Sequence, residues 1–486
     1  MKLSYLIDGV GGNSIKVSGV SSDSRKVKSG EAFFCIKGTK TNGAGYIDEA
    51  IKNGAAVIVS DEKLSTPIGV ENVIVKNVRS AYAIAASRMY GEPSKKMKMI
   101  GVTGTNGKTT VCSMIESALL LAGKRCAVIG TLGARFEGKF TSLSMMTTPD
   151  PEVLYALLYE YARSGAEYVV METSSHSLAQ NKLDGINFDV GAITNVSAEH
   201  LDFHKNMQEY CAAKRRLFER SEVGVFLCDD FYTTEMYNCA ECKKIACSVK
   251  DKRYQIHAER VGFDFENGCI LTVKDGAEAV TLHSPIPASF TPSNVILAYT
   301  VLKTLGIKNE FIHNGIATLK CVQGRMERVP TGRDFSVFID FAHTPDALSR
   351  LLTGVKLMKK QGQRIVTLFG CGGDRDKTKR SLMGAIASRL SDFVIITSDN
   401  SRSEEPQAII DEIMGGFDKS CPHVRIDDRR QAIEYAILNA ESGDIILLCG
   451  KGHECYEITK CGKRDFCERK IVVEALKKRK RNDEGK

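Results

Sequence analysis

The stretch that decides the fold reads Met99-Ile-Gly-Val-Thr-Gly104-Thr-Asn-Gly-Lys108-Thr-Thr110. Its first residues are apolar and predict a short buried strand, and residues 110–121 place apolar side chains at helical spacing before Gly123. Glycines and the pair Lys108-Thr109 stand between the two elements. Glycines let backbone N–H groups approach phosphate oxygens, a helix N-terminus and Lys108 add positive potential, and a threonine hydroxyl can reach Mg²⁺. The stretch therefore predicts an ATP-binding loop.

The spacing departs from the usual P-loop, which has glycine where Val102 stands. The pattern present here is Gly101-x-x-Gly104-x-x-Gly107-Lys-Thr. A glycine-rich turn that binds nothing is the alternative, and the strand–loop–helix context argues against it.

Length and composition limit the class of protein. A chain of 486 residues predicts about three domains, and 43% hydrophobic with 26% charged residues is typical of a globular protein. No apolar run approaches the roughly 18 residues that cross a bilayer. The apolar run at the N-terminus is too short to form the core of a signal peptide. We expect a cytoplasmic protein without a membrane span.

The charge and the cysteines carry little functional information. Half of the net charge of +8 lies in residues 477–486, which we expect to be a frayed, solvated terminus rather than a nucleic-acid-binding segment. The sixteen cysteines are expected to be reduced. Cys239, Cys242 and Cys247 have a spacing with some metal-site character, but no second pair of ligands follows at zinc-finger distance.

Strand-like runs alternate with helical stretches along the chain and predict an α/β fold with parallel sheets. The predicted domains are a small α/β unit at 1–94, a central domain at 95–322 and a third domain at 323–486, with a linker at 91–98. The first contains strands at 31–36 and 55–60, a helix near 45–53, and polar loops at 20–25 and 38–43 that plain turns would explain.

Polar side chains follow the strands of the central region. They occupy the segments 147–150, 172–177 and 195–204, and ligands of open parallel sheets gather beyond such carboxyl ends. We expect these segments to meet the phosphate loop around one phosphate and one metal, with Glu172 and His200 as candidate Mg²⁺ ligands. On physical grounds alone, Lys214 is predicted to be a solvated helix lysine. His200 and His204 have zinc-like spacing, but no third ligand is identifiable.

The third region repeats this arrangement at 340–346, 370–376, 399–402 and 450–454. Arg375 and Arg402 can each pair with a carboxylate or phosphate, and Glu454 can accept an ammonium. A ligand with both a carboxylate and an amine would satisfy all three, whereas ordinary surface ion pairs are the alternative.

At this point the chain resembles the Mur ligases of bacterial cell-wall synthesis, in particular the MurE type. The resemblance extends over about residues 20–470 and rests on blocks such as Ser22-Asp-Ser-Arg25, Gly104-Thr-Asn-Gly-Lys-Thr-Thr110, Thr147-Thr-Pro-Asp150, Ala212-Ala-Lys214, Asp399-Asn-Ser-Arg402 and Gly450-Lys-Gly-His-Glu454. It implies a small N-terminal α/β domain, a central P-loop ATPase domain and a Rossmann-like C-terminal domain. The implied activity is an ATP-dependent ligase that adds the third residue to UDP-N-acetylmuramoyl-L-alanyl-D-glutamate through an acyl phosphate.

The resemblance also implies roles for individual residues. ATP would bind at Gly104, Thr105, Asn106, Gly107, Lys108, Thr109, Thr110, His343 and Asp346. The UDP-muramoyl-dipeptide would bind at Ser22, Ser24, Thr39, Lys40, Thr41, Asn106, Thr147, Thr148, Ser174, Gln180 and Lys182. The incoming amino acid would bind at Arg375, Asp399, Asn400, Ser401, Arg402, Gly450 and Glu454. Two Mg²⁺ ions would be held by Thr109, Glu172, His200 and Lys214, the last as a carbamate, and Lys108, Lys214, His200 and Glu172 would be catalytic.

Four positions depart from the family pattern. Ser401 replaces proline in the diaminopimelate motif Asp-Asn-Pro-Arg, Lys182 replaces arginine, and Glu199 and Phe203 replace aspartate and tyrosine. Arg402 is retained, and lysine lacks the distal carboxylate that would pair with it, so the sequence favours meso-diaminopimelate.

The alternatives are the same ligase with L-lysine or another diamino acid, a folylpolyglutamate synthase, a P-loop ATPase without an acceptor, and an ATP-binding module without catalysis. We expect a monomer whose partners are its small-molecule substrates.

Overall fold

A computed structural model describes residues 1–9, 15–38, 41–143 and 146–484. The chain divides into two compact units. The first comprises residues 1–104, 119–194 and 206–246, and the second comprises 105–118, 195–205 and 247–486. No helix among the described residues combines the length and apolarity needed to span a bilayer.

The N-terminal part of the first unit contains a four-stranded parallel sheet in the order β1-β2-β3-β4. Both predicted strands and the predicted helix are present. Every residue of β2 and β3 is buried, as expected for parallel strands that are covered on both faces. The elements are α1 (Leu3–Leu6), β1 (Val20–Ser21), β2 (Ala32–Phe34), α2 (Ile47–Lys52), β3 (Val57–Ser60), β4 (Glu71–Ile74) and α3 (Val78–Met89), with 3₁₀ turns at Ser24–Lys26, Gly43–Tyr46 and Pro93–Lys96.

The elements of residues 95–248 follow the predicted alternation of strands and helices. They are β5 (Lys98–Thr103), α4 (Lys108–Leu121), β6 (Cys126–Gly130), β7 (Gly133–Phe136), β8 (Lys139–Thr141), α5 (Pro151–Arg163), β9 (Tyr168–Glu172), α6 (Ser175–Ala179), β10 (Phe188–Ile193), α7 (Leu201–His204), α8 (Met207–Arg215), a 3₁₀ turn (Phe218–Arg220), β11 (Ser221–Leu227), α9 (Phe231–Cys239) and β12 (Lys243–Ser248).

The sheet register of the first unit fixes which strand ends are neighbours. Strands β11, β10, β5, β9 and β6 are parallel in that order, and β7 and β8 continue from β6 as antiparallel strands. Val102 on β5 pairs with Glu172 on β9 and with Ala192 on β10. The three strands therefore end at one edge, as the polar segments that follow them predicted.

The second unit contains an antiparallel meander where the sequence predicted only parallel strands. Strands β13 (Ile256–Asp264), β14 (Gly268–Asp275) and β15 (Glu278–Ser284) are joined by short turns. The prediction for 256–284 was wrong because parallel strands need a long crossover connection, and no helix separates these three. Their partial exposure also fits an antiparallel sheet with one solvated face.

Seven helices, a two-stranded hairpin and a six-stranded sheet complete the described part of the second unit, and the six strands have the order β16-β17-β21-β18-β19-β20. All neighbours are parallel except the edge strand β16, so the predicted α/β fold with parallel sheets is confirmed. The elements are α10 (Thr291–Thr304), α11 (Asn309–Thr318), β16 (Glu327–Val329), β17 (Ser336–Asp340), α12 (Pro345–Met358), β18 (Ile365–Phe369), α13 (Thr378–Leu390), β19 (Phe393–Ile396), α14 (Pro406–Met414), β20 (His423–Arg425), α15 (Arg429–Leu438), β21 (Ile445–Cys449), the hairpin β22 (Tyr456–Thr459) and β23 (Gly462–Asp465), and α16 (Glu468–Glu484).

The prediction of a frayed terminus is wrong for residues 477–481, which continue α16. Arg479 donates to the carbonyl oxygens of Ile437 at 2.6 Å and Ala440 at 2.9 Å, and its guanidinium lies 5.1 Å from the centroid of the Phe335 ring. Carbonyls at the end of α15 thus bind the basic side chain, as helix C-termini commonly do.

Candidate active site

The phosphate loop at 105–107 is held by the segment that follows β10. Asn195 accepts from the backbone N–H groups of Thr105 at 2.8 Å and Asn106 at 3.1 Å, through its carbonyl and its side chain respectively. Its own amide donates to the carbonyl of Asn106 at 3.0 Å, and Lys108 Nζ lies 2.9 Å from the carbonyl of Thr105. Because α4 begins at Lys108, the first N–H groups of the helix face the loop, where anions bind.

The inner side of the loop rests against Asn294 of α10. Gly107 has φ +91°, and a Cβ at this position would collide with Asn294 Oδ1. Asn294 is buried, and its Nδ2 has no hydrogen-bond partner among the described residues. A buried amide without a partner costs about 1–3 kcal/mol, which a polar ligand at the loop would offset. This residue was not among the predicted site residues, although an asparagine directly before the apolar run at 295–299 of α10 was a usable signal.

Two residues that were predicted for the ATP site, His343 and Asp346 of the second unit, lie near the same loop or close to β17. Asp346 accepts from Ser197 Oγ at 2.8 Å and from Asn106 Nδ2 at 3.5 Å. His343 Nδ1 is 2.8 Å from the carbonyl of Phe341, and burial lowers the pKa of its imidazole. A neutral ring whose Nδ1–H faces a carbonyl leaves Nε2 as an acceptor.

Glu172 is the centre of a second polar cluster, in the first unit. Its carboxylate is buried and accepts from Thr131 N at 2.9 Å and Thr131 Oγ1 at 3.0 Å. Thr148 Oγ1 donates to the backbone carbonyl of Glu172 at 2.8 Å and accepts from Ser174 N at 3.2 Å. Thr147 Oγ1 lies 3.2 Å from Thr131 Oγ1. The structure therefore brings together four of the residues predicted for the metal and the muramoyl-dipeptide.

The other residues predicted for the UDP-linked substrate make contacts of their own. Ser24 Oγ donates to Glu49 Oε2 at 2.5 Å, and Ser22 contacts the hydroxyl of Tyr82. Lys182 Nζ lies 2.7 Å from Asp150 Oδ1, and Gln180 ends α6. Thr41 is exposed, whereas Thr39 and Lys40 lie outside the described residues.

The prediction that Lys214 is solvated is wrong. Its side chain on α8 is 1% exposed, and Nζ lies 4.3 Å from the centroid of the Tyr210 ring. Removing a primary ammonium from water is costly, so this position favours a chemically modified or paired lysine over a surface one. His200 is half exposed and has φ +58°, a left-handed conformation that is uncommon for histidine.

A third cluster surrounds the ends of β19 and β21 in the second unit. Asp399, Asn400 and Ser401 are buried, and Asn400 Nδ2 donates to Glu454 Oε2 at 2.8 Å. A Cβ at Gly450 would lie 2.7 Å from Asp399 Oδ2, so glycine is needed there. Arg402 Nη1 donates to the carbonyl of Gly373 at 2.7 Å, and a Cβ at Gly372 would meet both Arg402 and the exposed Arg375. The predicted amino-acid site is thus one continuous group of residues.

The charges of this cluster are matched to a zwitterion. Lys451 and Arg429 oppose the effect of burial and leave the pKa of Asp399 lowered, whereas burial and Asp399 raise the pKa of Glu454. Burial and the neighbouring Arg375 lower the pKa of Arg402. The cluster therefore contains both carboxyl and guanidinium groups, which suits a ligand with an ammonium and a carboxylate.

Each unit contains an oxygen donor of the kind that Mg²⁺ prefers. In the second unit, Thr109 is buried at the start of α4, where a hydroxyl can serve as a ligand. In the first unit, both donors to the buried Glu172 carboxylate named above come from neutral Thr131. Such a carboxylate favours a divalent cation. No group of three His, Cys, Asp or Glu side chains converges as a metal site in the described part of the chain, so substrate oxygens and water would have to complete the coordination.

The chain matches three family profiles, all from Mur ligases. Residues 16–90 match the Mur ligase family catalytic domain, 102–302 the middle domain and 324–452 the glutamate ligase domain. Each match lies within one predicted domain, and the boundaries at 94 and 322 remain predictions. A UDP-N-acetylmuramoyl-L-alanyl-D-glutamate–2,6-diaminopimelate ligase of Caldanaerobacter subterraneus subsp. tengcongensis is 41% identical over 98% of this chain and 99% of its own.

Solved structures agree with this match. The structure of a protein with the same name has a TM-score of 0.72 and 29% identity, and covers 98% of this chain and 99% of its own. The Mycobacterium tuberculosis folylpolyglutamate synthase complexed with ADP and AMPPCP has a TM-score of 0.64 and 18% identity over 76% of this chain and 91% of its own, which shows a shared fold only. The chain belongs to the Mur ligase family.

Proposed function

We propose that this chain is an ATP-dependent ligase that joins meso-2,6-diaminopimelate to the D-glutamate of UDP-N-acetylmuramoyl-L-alanyl-D-glutamate, in peptidoglycan precursor synthesis. The observation that carries the proposal is the cluster of Asp399, Asn400, Arg402 and Glu454, which offers an anion and a guanidinium to one amino acid. Its relatives, matched over almost the whole chain, bear the name of this activity.

The phosphate loop supports the first half of the reaction. A carboxylate and an amine do not condense directly in water, so the D-glutamate carboxylate takes the γ-phosphoryl group of ATP and becomes an acyl phosphate. Lys108 and the N–H groups at the start of α4 would stabilise the charge that develops on the transferred group. The amine of diaminopimelate then attacks the acyl carbon and phosphate leaves.

Magnesium would supply charge neutralisation at the phosphates when bound. Thr109, Glu172 and His200 would hold it, and Lys214 would contribute as a carbamate, which converts a buried cation into an anion. His343, Asp346 and Asn294 would contact the nucleotide, and Thr147, Thr148, Ser174, Gln180 and Lys182 the muramoyl-dipeptide.

Arg402 favours diaminopimelate over L-lysine. Lysine has no distal carboxylate, so its binding would leave a partly buried guanidinium without its anion, at a cost of a few kcal/mol. Ser401 in place of the motif's proline does not remove this charge.

One assay tests the proposal. ADP release is measured with UDP-N-acetylmuramoyl-L-Ala-D-Glu and with meso-diaminopimelate, L-lysine, L-ornithine or no amino acid. Release that depends on diaminopimelate is expected. Equal release without any acceptor would indicate a simple ATPase, equal or faster release with lysine would overturn the diaminopimelate assignment, and release only with folate substrates would indicate a folylpolyglutamate synthase.

A further inference from the structure

Lys451 is a buried cation to which the reaction above gives no role. Its side chain is fully buried directly after β21, beneath the predicted amino-acid site. Nζ donates to Asn400 Oδ1 at 2.9 Å and to the carbonyl of Tyr456 at 3.1 Å, and it lies 3.6 Å from Asp399 Oδ1. An ammonium removed from water requires such partners, and here they are the residues of the site itself.

The contacts that Asn400 makes with Lys451 and its neighbours fix the orientation of the Asn400 amide. Asn400 Oδ1 accepts from Lys451 Nζ and from Ile458 N, both at 2.9 Å. Two donors on one oxygen exclude the flipped amide, because the flipped group would present N–H to both donors. Nδ2 must therefore point the other way, where it donates to Glu454 Oε2 at 2.8 Å.

The charge of Lys451 acts on the same carboxylates. Among the groups that face Glu454, Asp399 is an anion, whereas Lys451, Arg402 and the hydroxyl of Tyr456 favour the ionised form. Farther from the site, Arg429, itself paired with Glu468, and His343 act on Asp399. Without Lys451, two buried carboxyl groups would lose a shared cation.

We propose that Lys451 is a positioning residue for the acceptor amino acid: it fixes the amide of Asn400, and through it the ionised Glu454 that receives the amino acid's ammonium. This inference rests on the proposed function. It predicts a residue that acts on acceptor binding without touching the acceptor, ATP or the UDP-linked substrate.

The test compares two variants of the full-length chain, Lys451→Met and Lys460→Met. Lys460 is exposed in the turn between β22 and β23 and serves as the control. At pH 7 we expect the KM for diaminopimelate to rise about 10- to 100-fold in Lys451→Met, the range expected for losing a hydrogen bond to a charged group. The KM values for ATP and the UDP-linked substrate should change less than about twofold by this mechanism, and Lys460→Met should resemble the unmodified chain.

The pH profile separates positioning from a purely structural role. Removing the cation raises the pKa of Glu454, so the acidic limb of kcat/KM for diaminopimelate should move to higher pH in Lys451→Met and activity should partly recover as pH rises. In the double variant Lys451→Met with Glu454→Gln, this shift of the acidic limb should be absent. A loss independent of pH, or equal increases in all three KM values, would overturn the proposal, and so would an unchanged KM for diaminopimelate.

A second variant, Lys451→Gln, tests the proposal if Lys451→Met does not fold. Lys451→Gln keeps an N–H donor toward Asn400 Oδ1 without the charge, so it should keep part of the acceptor affinity while still moving the acidic limb. The proposed function fails separately, since in that case the unmodified chain would show no acceptor-dependent ADP release.

Discussion

Asn294 Oδ1 lies against Gly107, and only the absence of a Cβ at position 107 permits this contact. The amide nitrogen of the same side chain is buried without a partner in the described part of the chain. The contact places this donor beside the phosphate loop. In the free protein a donor without a partner lowers stability, whereas in the nucleotide-bound protein it is available to ATP.

Asn294→Leu is expected to raise the KM for ATP about tenfold, because the donor available to the nucleotide is lost. The free energy of unfolding without nucleotide should stay equal or increase, since an unsatisfied buried amide is removed. ATP-dependent thermal shifts and urea titrations measure the two effects, with Thr304→Val on the same helix as the control. Lower stability with unchanged ATP affinity would contradict a role in nucleotide binding.

Lys214→Ala should lose most of the acceptor-dependent ADP release, because a carbamate at this buried position would be absent. Added short carboxylates such as acetate or formate should restore part of the activity by supplying an anion. The exposed helix residue Lys356 provides the control, as Lys356→Ala should behave like the unmodified chain. Full activity of Lys214→Ala would exclude the carbamate role.

Arg402→Leu should reduce kcat/KM for diaminopimelate roughly a hundredfold, as expected when one partner of a buried charge pair is removed. The value for L-lysine should stay constant or rise, because no unpaired guanidinium remains beside that ligand. Competition between the two amino acids measures the change. An equal reduction for both would mean that Arg402 does not read the distal carboxylate.

Glu404 should make the folding stability of the protein decrease at low pH. Arg380 donates to both of its oxygens at 2.9 Å, and Asp374 N donates at 2.6 Å. These bonds lower the pKa of Glu404 to about 2. Since the pKa is lowered on folding, the stabilisation is present above the unfolded value of about 4.3 and is lost as pH falls toward 2.

Urea denaturation between pH 6 and pH 2.5 measures this effect. Glu404→Gln should be less stable than the unmodified chain at pH 6, and the difference should shrink as pH falls. Glu310→Gln, at an exposed glutamate of α11, should show no such trend. A difference that does not vary with pH would contradict the assigned cause.

Arg429 and Glu468 form a fully buried ion pair, with Nη2 and Oε1 2.8 Å apart. Arg429 also donates to the carbonyls of Ser398 at 3.1 Å and Cys449 at 2.7 Å, at the ends of β19 and β21. Arg429→Met should lower the free energy of unfolding by about 3–5 kcal/mol, because it leaves a buried carboxylate uncompensated. The double variant with Glu468→Met should recover much of this loss. Additive losses in urea titrations would argue against a coupled pair.

The local sequence determined the secondary-structure elements and the types of functional side chain that follow them. The apolar run before Gly104, the glycines after it and the helical spacing from Thr110 onward are local patterns, and β5 and α4 have nearly the predicted bounds. The strand-end segments at 399–402 and 450–454 were also identifiable, because polar residues directly after a buried parallel strand meet at one edge of the sheet.

Tertiary structure alone decided which side chains are removed from water and which group each one faces. Lys214 was predicted from its sequence to be a solvated helix lysine, yet it is buried, and nothing in the sequence predicted that Lys451 is buried as well. Asn294 meets Gly107 across almost two hundred residues, and Asn400 meets Glu454 across 54. Burial and such contacts arise when distant segments pack together, so periodicity and spacing along the chain do not encode them.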